Sequence, residues 1–535
     1  MSNVLAGPRP SGWDKRLIVV AGLLVVTPAA AEQPGTAAAP AAAATSVPGP
    51  GLGVLDAVRS TLARSPDIAV AAQDLEAARG SLEAASGRFD LVFDAQLGHR
   101  GDSTPSVPSG PGQASSASDA SSTTYTTDYQ VGATQELRWG MKLQPHVSVS
   151  RLGGSWLDPA YAEARLGITV GQPLLRGRGT AATAARETAA RIDSDAAALR
   201  TRHVAAVRVL ATVQGYWSCR AAWETVEILA RAEDRASLFV DEERRLVEAH
   251  ERAPTELHQV RAARSDARAS HAEATRAYLV ARQQLGLAMG LGWREIDALP
   301  APVDPLDTTR AIAAPPDAGR LIDLALARRP DLRASRIAAR SSAVRVGAAE
   351  DELQPRLDVS AELGYTGFAS GNGPSPLVTS LGRAIVGPDF FVGLVAQLPT
   401  PSRQARGALR QERAHLETVA IAARDLERTI GANVALGLGE LGALQRELAS
   451  AEEAVDDFLA ARDNELRKLR SNLSTEFDVL QIESRLTAAQ LSAVRARVNV
   501  LQALARLRFE TGTLIDGQDG LSSEALLSIP VAPPG

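Results

Sequence analysis

The chain contains 535 residues, its formal net charge is −5, and aromatic residues make up only 4% of it. Charge this close to balance excludes the broad basic surface of a nucleic-acid-binding protein and an acidic tail. Scarce aromatics together with abundant alanine favour extended helix packing over a large globular core. The single cysteine, Cys219, excludes a disulfide within the chain. Its helical surroundings predict a small, buried side chain.

The N-terminus has the parts of an export signal. Lys15 and Arg16 precede an apolar run at 17–26, and three alanines at 29–31 form a small-residue cleavage site. An apolar run of this length is too short to span a bilayer, which takes about 20 residues. We therefore predict a signal peptide at 1–31, followed by a disordered leader rich in Ala, Pro and Gly at 32–53.

A short sequence near position 62 returns later in the chain. Residues 62–68, Leu-Ala-Arg-Ser-Pro-Asp-Ile, match residues 326–332, Leu-Ala-Arg-Arg-Pro-Asp-Leu, at an offset of 264. In both copies proline ends one helix and starts the next, because it lacks an N–H but suits a first helical turn. We predict a tandem duplication, with a first repeat at 54–320, a second at 321–513 and a flexible tail at 514–535.

Each repeat is predicted to begin with a helix, at 54–89 and at 321–353, and to continue into strands. Strands with lipid on one side and water on the other alternate apolar and polar residues. The segments with this alternation fall within 91–174 and 357–397, and they are 91–97, 129–139, 143–151, 166–174, 357–365 and 391–397. Two intervening stretches, 101–124 and 369–388, are polar enough that we expect exposed loops there.

Long helical regions follow the strands, at 180–291 and 403–512, and the first leads into a linker at 292–320. Apolar residues recur in them at three- and four-residue steps. Helices of this length need a partner along most of their extent. Turns at 252–257 and 472–478, favoured by Pro254 and Asn472, predict two antiparallel hairpins. The candidate N-caps of the returning helices are Thr255, Ser474 and Thr475.

No catalytic constellation is visible, and we predict that the protein is not an enzyme and has no cofactor or metal. The seven histidines are scattered along the chain. His250 and His258 are eight residues apart, not the three or four that place two ligands on one helical turn. Gly177 and Gly179 lack the surrounding frame of a phosphate loop, and they fit a bend from strand to helix.

The duplicated order of helix, strands and helical hairpin resembles the TolC-type outer membrane efflux proteins, the outer membrane factors. The resemblance lies in residues 62–68, 172–179 and 472–480 and spans roughly 54–513. It implies a mainly α fold with membrane β structure. Three protomers of such a protein close one β-barrel, and their helical hairpins form a periplasmic α-barrel. The implied function is the passive exit duct of a tripartite efflux pump or a type I secretion system, for small molecules or proteins.

The resemblance also implies partners and a location. The partners are two further copies of the chain, a periplasmic adaptor (membrane fusion) protein, an inner-membrane transporter and outer membrane lipid, but no nucleic acid. The location is the outer membrane, with a large periplasmic portion. The alternative is an exported coiled-coil structural or binding protein without a pore, which would have no use for duplicated strands between helices. A soluble periplasmic binding protein or enzyme is disfavoured by the absence of active-site residues.

Two features depart from the family's pattern. Family members usually have two strands per repeat, whereas the first repeat here offers four segments. The extra pair, 129–139 and 143–151, either extends the surface loop as a hairpin or enlarges the barrel, and we favour the hairpin. Family members often carry glycine in the tip turns, where this chain has Arg252 and Asn472.

Two sets of candidate site residues follow. The helical tips are the expected adaptor-docking site, with Thr255, Glu256, Leu257, Leu473, Thr475, Phe477 and Asp478. The candidate pore-lining acidic residues are Asp456, Asp457 and Asp463. Threefold repetition would turn each of these into a ring that biases ion passage. A solvated helix face is the alternative reading for each acidic residue.

Overall fold

A computed structural model describes residues 51–105, 121–154, 157–251, 253–306, 317–382, 385–398, 400, 402–471 and 473–515. The predicted signal peptide and nearly all of the predicted leader lie outside these residues. So do Arg252 and Asn472, the residues predicted to occupy the family's glycine positions in the two tips.

The described residues form a mainly helical chain with one sheet. Its helices are α1 (Val54–Arg64), α2 (Pro66–Ser86), α3 (Thr180–Thr183), α4 (Ala185–Glu248), α5 (Pro254–Ala288), α6 (Trp293–Asp297), α7 (Ala318–Arg328), α8 (Pro330–Asp351), α9 (Ser375–Gly382), α10 (Arg403–Arg470) and α11 (Glu476–Glu510). Its strands are β1 (Val92–Pro105), β2 (Ser121–Glu136), β3 (Lys142–Gly154), β4 (Leu157–Pro173), β5 (Arg356–Ser370) and β6 (Ile385–Gln397).

Proline interrupts the helices that precede the two groups of strands. Pro66 and Pro330 each occupy the first turn of a helix, and the residues before them, Ser65 and Arg329, have extended ψ angles of 123° and 121°. Proline disfavours helical backbone at the preceding residue, so the chain must leave the first helix there. The helical region predicted at 54–89 is therefore divided into α1, α2 and a 3₁₀ turn at Gly87–Phe89, and the break at the proline is the one that the repeated sequence predicts.

The long helices pack as neighbouring pairs. The 68 residues of α10 extend for about 100 Å at about 1.5 Å per residue. Helix α4 packs along α5, and α10 packs along α11; α4 also contacts α2, α8 and α11, and α10 contacts α8. None of the helices in the described ranges is both long and apolar enough to cross a membrane.

Two buried apolar clusters lie where short and long helices meet. In the first, residues of α1 pack on α4, α5 and α11 around Tyr216 and Trp217. In the second, residues of α7 and α8 pack on α10 and α11 around Ile430 and Leu504. The first cluster also includes Leu52, from the end of the predicted leader, and Leu514, from the start of the predicted tail. Both are buried, so the packed region extends beyond the predicted boundaries on each side.

All six strands belong to one antiparallel sheet in the order β1-β2-β3-β4-β5-β6. Strands β2 and β3 pair with their neighbours over most of their length. The turn between them, at 137–141, lies at the end of the sheet where the chain enters and leaves the helices. A hairpin that extended a surface loop would contact the other strands only at the end of the sheet farthest from the helices. Strands β2 and β3 instead pair with β1 and β4 as far as the helical end, so the prediction that they extend a surface loop is wrong.

The predicted loops are shorter than expected. Strands β1 and β2 continue into the stretch 101–124, and their register runs as far as Pro105 opposite Ser121. The stretch 369–388 contains the end of β5, helix α9 and the start of β6. Hydrogen bonds between strands use backbone groups, so polar and small side chains do not end a strand that already has a neighbour.

Candidate functional site

The sheet has one apolar and one polar face. Successive side chains of a strand point to opposite faces, so the register identifies rows that cross the sheet. One row reads Ala95, Val131, Val147, Leu166, Tyr365 and Pro388 from β1 to β6. The adjacent row, on the other face, reads Gln96, Gln130, Ser148, Arg165, Thr366 and Gly387. This alternation indicates a wall between an apolar and an aqueous phase.

The apolar face carries large exposed side chains on strands from both halves of the chain. Among them are Phe93, Leu97, Val131, Ile168, Leu363, Phe390, Val392 and Leu394. Strand β6 departs from the alternation, since Phe391 and Val395 of its other face are also exposed. That strand is an outer edge of the sheet.

Charged and polar side chains interact across the polar face. His146 Nε2 of β3 lies 3.6 Å from Glu362 Oε1 of β5, over Gly167 of the strand between them. A Cβ at position 167 would lie 3.1 Å from the imidazole, so a side chain there would crowd His146. Ser150 donates a hydrogen bond to Asp128 at 2.7 Å, joining β3 to β2. The polar face is thus continuous from β2 to β5.

The β2–β3 turn is attached to the helices. Arg138 donates two hydrogen bonds to the Glu187 carboxylate of α4, at 2.8 and 3.1 Å, and Glu187 is only 7% exposed. The hydrogen bonds from Arg138 hold the pKa of Glu187 below its usual value. Arg88, which follows α2, donates in the same way to Glu136 at the end of β2. These pairs fix the end of β2 and the turn that follows it.

Glycines allow the close approach at this junction. Gly140 has a φ of +102°, and a Cβ there would lie 2.5 Å from the Gly177 carbonyl oxygen. Gly177 and Gly179 also have positive φ, at 79° and 83°, and α3 begins directly after Gly179. These two residues form the bend from strand to helix that the sequence predicts.

The tip between α10 and α11 is built around a capping box. Thr475 Oγ1 accepts a hydrogen bond from the Asp478 N–H at 3.2 Å, and the Asp478 carboxylate accepts one from the Thr475 N–H at 3.1 Å. Thr475 is therefore the N-cap, not Ser474. Hydrogen bonds from Thr475 lower the pKa of Asp478. Ser474 donates instead to Glu465 of α10, at 2.5 Å, which closes the turn.

The side chains of this tip divide into exposed and buried groups. Leu473 is 77% exposed and Phe477 is 55% exposed, whereas Glu476, which lies between them in the sequence, is buried. Exposed apolar side chains at the end of a long helical hairpin are a feature that a partner surface can cover. The structure thus brings Leu473, Thr475, Phe477 and Asp478 together.

The tip between α4 and α5 is closed differently. His250 adopts a φ of 61° after the end of α4, and the Glu251 N–H donates to the Leu246 carbonyl at 2.9 Å. The N-cap of α5 is Ala253, with no side-chain hydrogen bond, so the prediction that Thr255 caps this helix is wrong. Pro254 takes the first helical position and shifts the cap two residues earlier. Thr255 is exposed, and Glu256 and Leu257 are half-buried.

The three candidate acidic residues lie on α10 and are exposed. Asp456 and Asp463 are seven residues apart, so they share one side of the helix. Asp457 points about 100° away from Asp456, since each residue of a helix turns by that angle. Arg462 donates two hydrogen bonds to Asp463, at 3.0 and 2.7 Å, which offsets its charge locally.

A buried ion cluster was not predicted from the sequence. Arg329, 8% exposed, donates to the Asp331 carboxylate at 3.0 and 2.7 Å and also forms an ion pair with Glu510 of α11. His203 Nδ1 lies 3.8 Å from Asp331, and its pKa is lowered chiefly by burial. The sequence offered one sign of this cluster, since Arg329 and Asp331 carry opposite charges on either side of Pro330 in the repeated sequence. Their partner on α11 is 181 residues away.

A second polar group that was not predicted lies in the first apolar cluster. Tyr216 of α4 donates to Asp304 at 2.7 Å and lies 2.9 Å from the Leu52 carbonyl oxygen. Burial raises the pKa of Tyr216, and the hydrogen bond to Asp304 adds to this effect. The contacts tie the segment that precedes α1 and the linker that follows α6 to α4. They have a structural role.

The described residues contain no group of His, Cys, Asp and Glu side chains that could hold a metal ion. Cys219 is buried in the first apolar cluster, and burial raises the pKa of its thiol to about 11. A thiol in this environment is a poor nucleophile at neutral pH. Among the described residues, the candidate functional surfaces are therefore the sheet, with its apolar and polar faces, and the helical tips, with their exposed apolar side chains.

Comparison with known proteins identifies the class. Residues 321–513 match the family model described as outer membrane efflux protein. This match covers the second repeat, and it confirms the resemblance found in the sequence. No curated protein sequence matches the chain significantly.

Solved structures with the same fold include outer-membrane channels. The outer-membrane channel OprN aligns with a TM-score of 0.62 and 17% identity, over 86% of this chain and 90% of its own. VceC from Vibrio cholerae aligns with a TM-score of 0.60 and 17% identity, over 86% and 96%. The Campylobacter jejuni CmeC channel aligns with a TM-score of 0.60 and 13% identity, over 87% of each chain. At these identities the likeness establishes the fold.

Proposed function

We propose that this chain is one protomer of a trimeric outer-membrane channel that serves as the passive exit duct of a tripartite efflux pump or a type I secretion system. It would pass small molecules or proteins. The observation that carries the proposal is the sheet with one apolar and one polar face, joined at one end to helices of about 100 Å. The match to the outer membrane efflux protein family supports the same function.

The edges of the sheet favour oligomerisation. Among the described strands β1 pairs only with β2, and β6 pairs only with β5. Each unpaired backbone group in lipid costs several kcal/mol. Six strands closing on themselves would leave no duct, because side chains already fill an eight-stranded barrel. Pairing of β1 with β6 of a neighbouring copy satisfies both edges and closes a wall around the polar face.

The two halves of the chain contain corresponding contacts, as a tandem duplication predicts. Gly290 follows α5 with a φ of +75° and lies against the backbone of Arg64, at the first proline break. Gly512 follows α11 with a φ of +70° and lies against the backbone of Arg328, at the second break. In each half, the helix returning from the tip ends on the break that precedes the strands.

The helical tips are the proposed docking site for a periplasmic adaptor, which in turn contacts an inner-membrane transporter. Leu473 and Phe477 supply exposed apolar surface, and the capping box of Thr475 and Asp478 holds them in place. Thr255, Glu256 and Leu257 form the matching part of the other tip. Asp456 and Asp463, on one side of α10, are the proposed acidic rings of the duct, and Asp457 is turned away from that side.

The first test is gel migration of the protein from purified outer membranes, with and without boiling. A band near three times the protomer mass that collapses on boiling is the expected result. A monomer in the soluble periplasmic fraction would refute the channel and would favour the alternative, an exported coiled-coil protein without a pore.

The docking proposal has a separate test. Phe477→Ala and Asp478→Lys are expected to reduce export while the boiling-sensitive band is retained. A substitution at an exposed position far from both tips on the same hairpin, Leu436→Ala, is the matched control and is expected to leave export unchanged. Normal export in the two tip variants would argue against adaptor docking at this tip.

A further inference from the structure

We propose that the outer-membrane wall of this channel contains eighteen strands, six from each protomer, and that its mouth passes cargo too bulky for a wall of twelve strands. The inference rests on the proposed trimeric channel and specifies the size class of its cargo. What carries it is the position of β2 and β3, the strands in excess of two per repeat.

Strands β2 and β3 span the full height of the sheet. The register between β1 and β2 runs without interruption from Val92 opposite Thr134 to Pro105 opposite Ser121. At the helical end, Lys142 of β3 lies opposite Gly171 of β4. With 16 and 13 residues, both strands exceed the 9–11 residues that a tilted strand needs to cross the hydrocarbon core. They are as much part of the wall as β4 and β5.

The apolar face does not stop at the extra strands. Val131 and Val147 lie between Ala95 of β1 and Leu166 of β4 in one row. On the other face, Gln130 and Ser148 continue the polar row. A hairpin standing in water outside the membrane would have no reason to keep this alternation. Strands placed between lipid and an aqueous lumen require it.

The extra hairpin is also built into the helical end. Two bidentate contacts, Arg138 with Glu187 and Arg88 with Glu136, hold it to α4 and to the end of α2. The Gly179 N–H donates to the Trp139 carbonyl at 3.1 Å. The turn therefore lies at the boundary between strands and helices. It carries the two strands into the wall at the same level as the others.

The strand number sets the width of the mouth. Strands about 4.8 Å apart and tilted by about 40° each occupy about 6.3 Å of the circumference. Twelve strands give a backbone diameter of about 24 Å, and eighteen give about 36 Å. The mouth is thus about half as wide again as a twelve-stranded one.

Lipid contact of the extra strands is the first test. Single cysteines replacing Val131 and Val147, in a Cys219→Ala background, are labelled with an environment-sensitive fluorophore and reconstituted in brominated lipid. Quenching equal to that of Leu363→Cys on β5 is expected, and Gln130→Cys and Ser148→Cys on the polar face are expected to escape it. Absence of quenching at both valine positions, with quenching at the β5 control, would overturn the eighteen-strand wall.

The width is tested by deletion. Removing residues 121–154 takes out β2 and β3 and leaves β1 antiparallel to β4 across the remaining linker. Polyethylene glycols of graded size, added on the extracellular side of single channels, measure the mouth. The exclusion diameter is expected to fall by about 12 Å, the difference between the two backbone diameters, because side chains narrow both walls by the same amount. An unchanged exclusion diameter in a conducting channel would refute the wider mouth. If the deletion variant does not assemble, the exclusion diameter of the wild-type channel decides between the openings that side chains leave inside backbone diameters of about 24 and 36 Å.

The possible outcomes distinguish failure of the eighteen-strand wall from failure of the proposed channel function on which it rests. Lack of a trimer band and of any conductance in the wild-type protein would remove the channel itself. A trimer that conducts, with β2 and β3 shielded from lipid and a mouth near 24 Å, would leave the channel in place and remove only the eighteen-strand wall.

Discussion

Substitution of Arg329 by methionine is expected to be among the most destabilising single changes in the helical region. Arg329 is the cation of a buried cluster and contacts two carboxylates, those of Asp331 and Glu510. All three side chains are between 8% and 15% exposed. Methionine keeps much of the volume but leaves both carboxylates without their partner. Breaking a buried ion pair in this way costs about 3–5 kcal/mol.

The pH dependence of this penalty follows from Asp331. Burial alone would raise the pKa of Asp331, but the hydrogen bonds and charge of Arg329 outweigh burial and hold it below its usual value. In the wild type this group stabilises the fold above its unfolded pKa of about 3.9 and loses that contribution as pH falls through the native value. Without Arg329, the buried carboxylate takes up a proton more readily. The penalty is therefore expected to shrink between pH 7 and pH 4.

Urea unfolding in detergent, followed by circular dichroism at 222 nm, measures the effect at both pH values. The matched control is Asp67→Asn, which breaks the corresponding pair with Arg208 in the first half. That pair is 2.9 Å long but its side chains are 43% and 51% exposed, so a loss below about 1 kcal/mol is expected. A loss in Arg329→Met no larger than in the control, or one independent of pH, would refute the reasoning.

Three further outcomes are expected. Gly512→Ala should destabilise the fold by about 1–3 kcal/mol, because a Cβ there meets the backbone of the second proline break at a positive φ. Gly442→Ala, inside α10 with open space around it, should be neutral or stabilising by up to about 1 kcal/mol in the same urea assay. Thr475→Ala should cost about 1 kcal/mol through loss of the helix cap, whereas Thr255→Ala should cost little, and equal losses would contradict the difference between the tips. Cys219 should resist a thiol reagent at pH 8 until urea unfolds the chain, since its pKa is about 11, and rapid labelling of the native protein would contradict its burial.

Local chemistry determined the kinds of element and several of their ends. The period of two along the strands and of about 3.6 along the helices is visible in any short window of sequence. Proline at 66 and 330 marks helix starts because its ring and missing N–H act on its immediate neighbours. Thr475 and Asp478 form a capping box that is also visible in the sequence, because its hydrogen bonds join residues only three positions apart. The resemblance to the outer membrane efflux family depended on the order of these local signals.

Tertiary structure decided how the elements stand side by side. Alternation predicted β2 and β3 but could not say whether they belong to the main sheet or form a separate hairpin, because pairing between distant segments decides which strands are neighbours. Arg329 and Glu510 are far apart in sequence and meet only when α11 returns from its tip to the second proline break. The strands run further than their apolar residues because backbone hydrogen bonds, once a neighbour is in place, do not depend on side-chain polarity. Sequence thus determined the local elements, and packing between distant segments determined the width of the sheet and the buried charges.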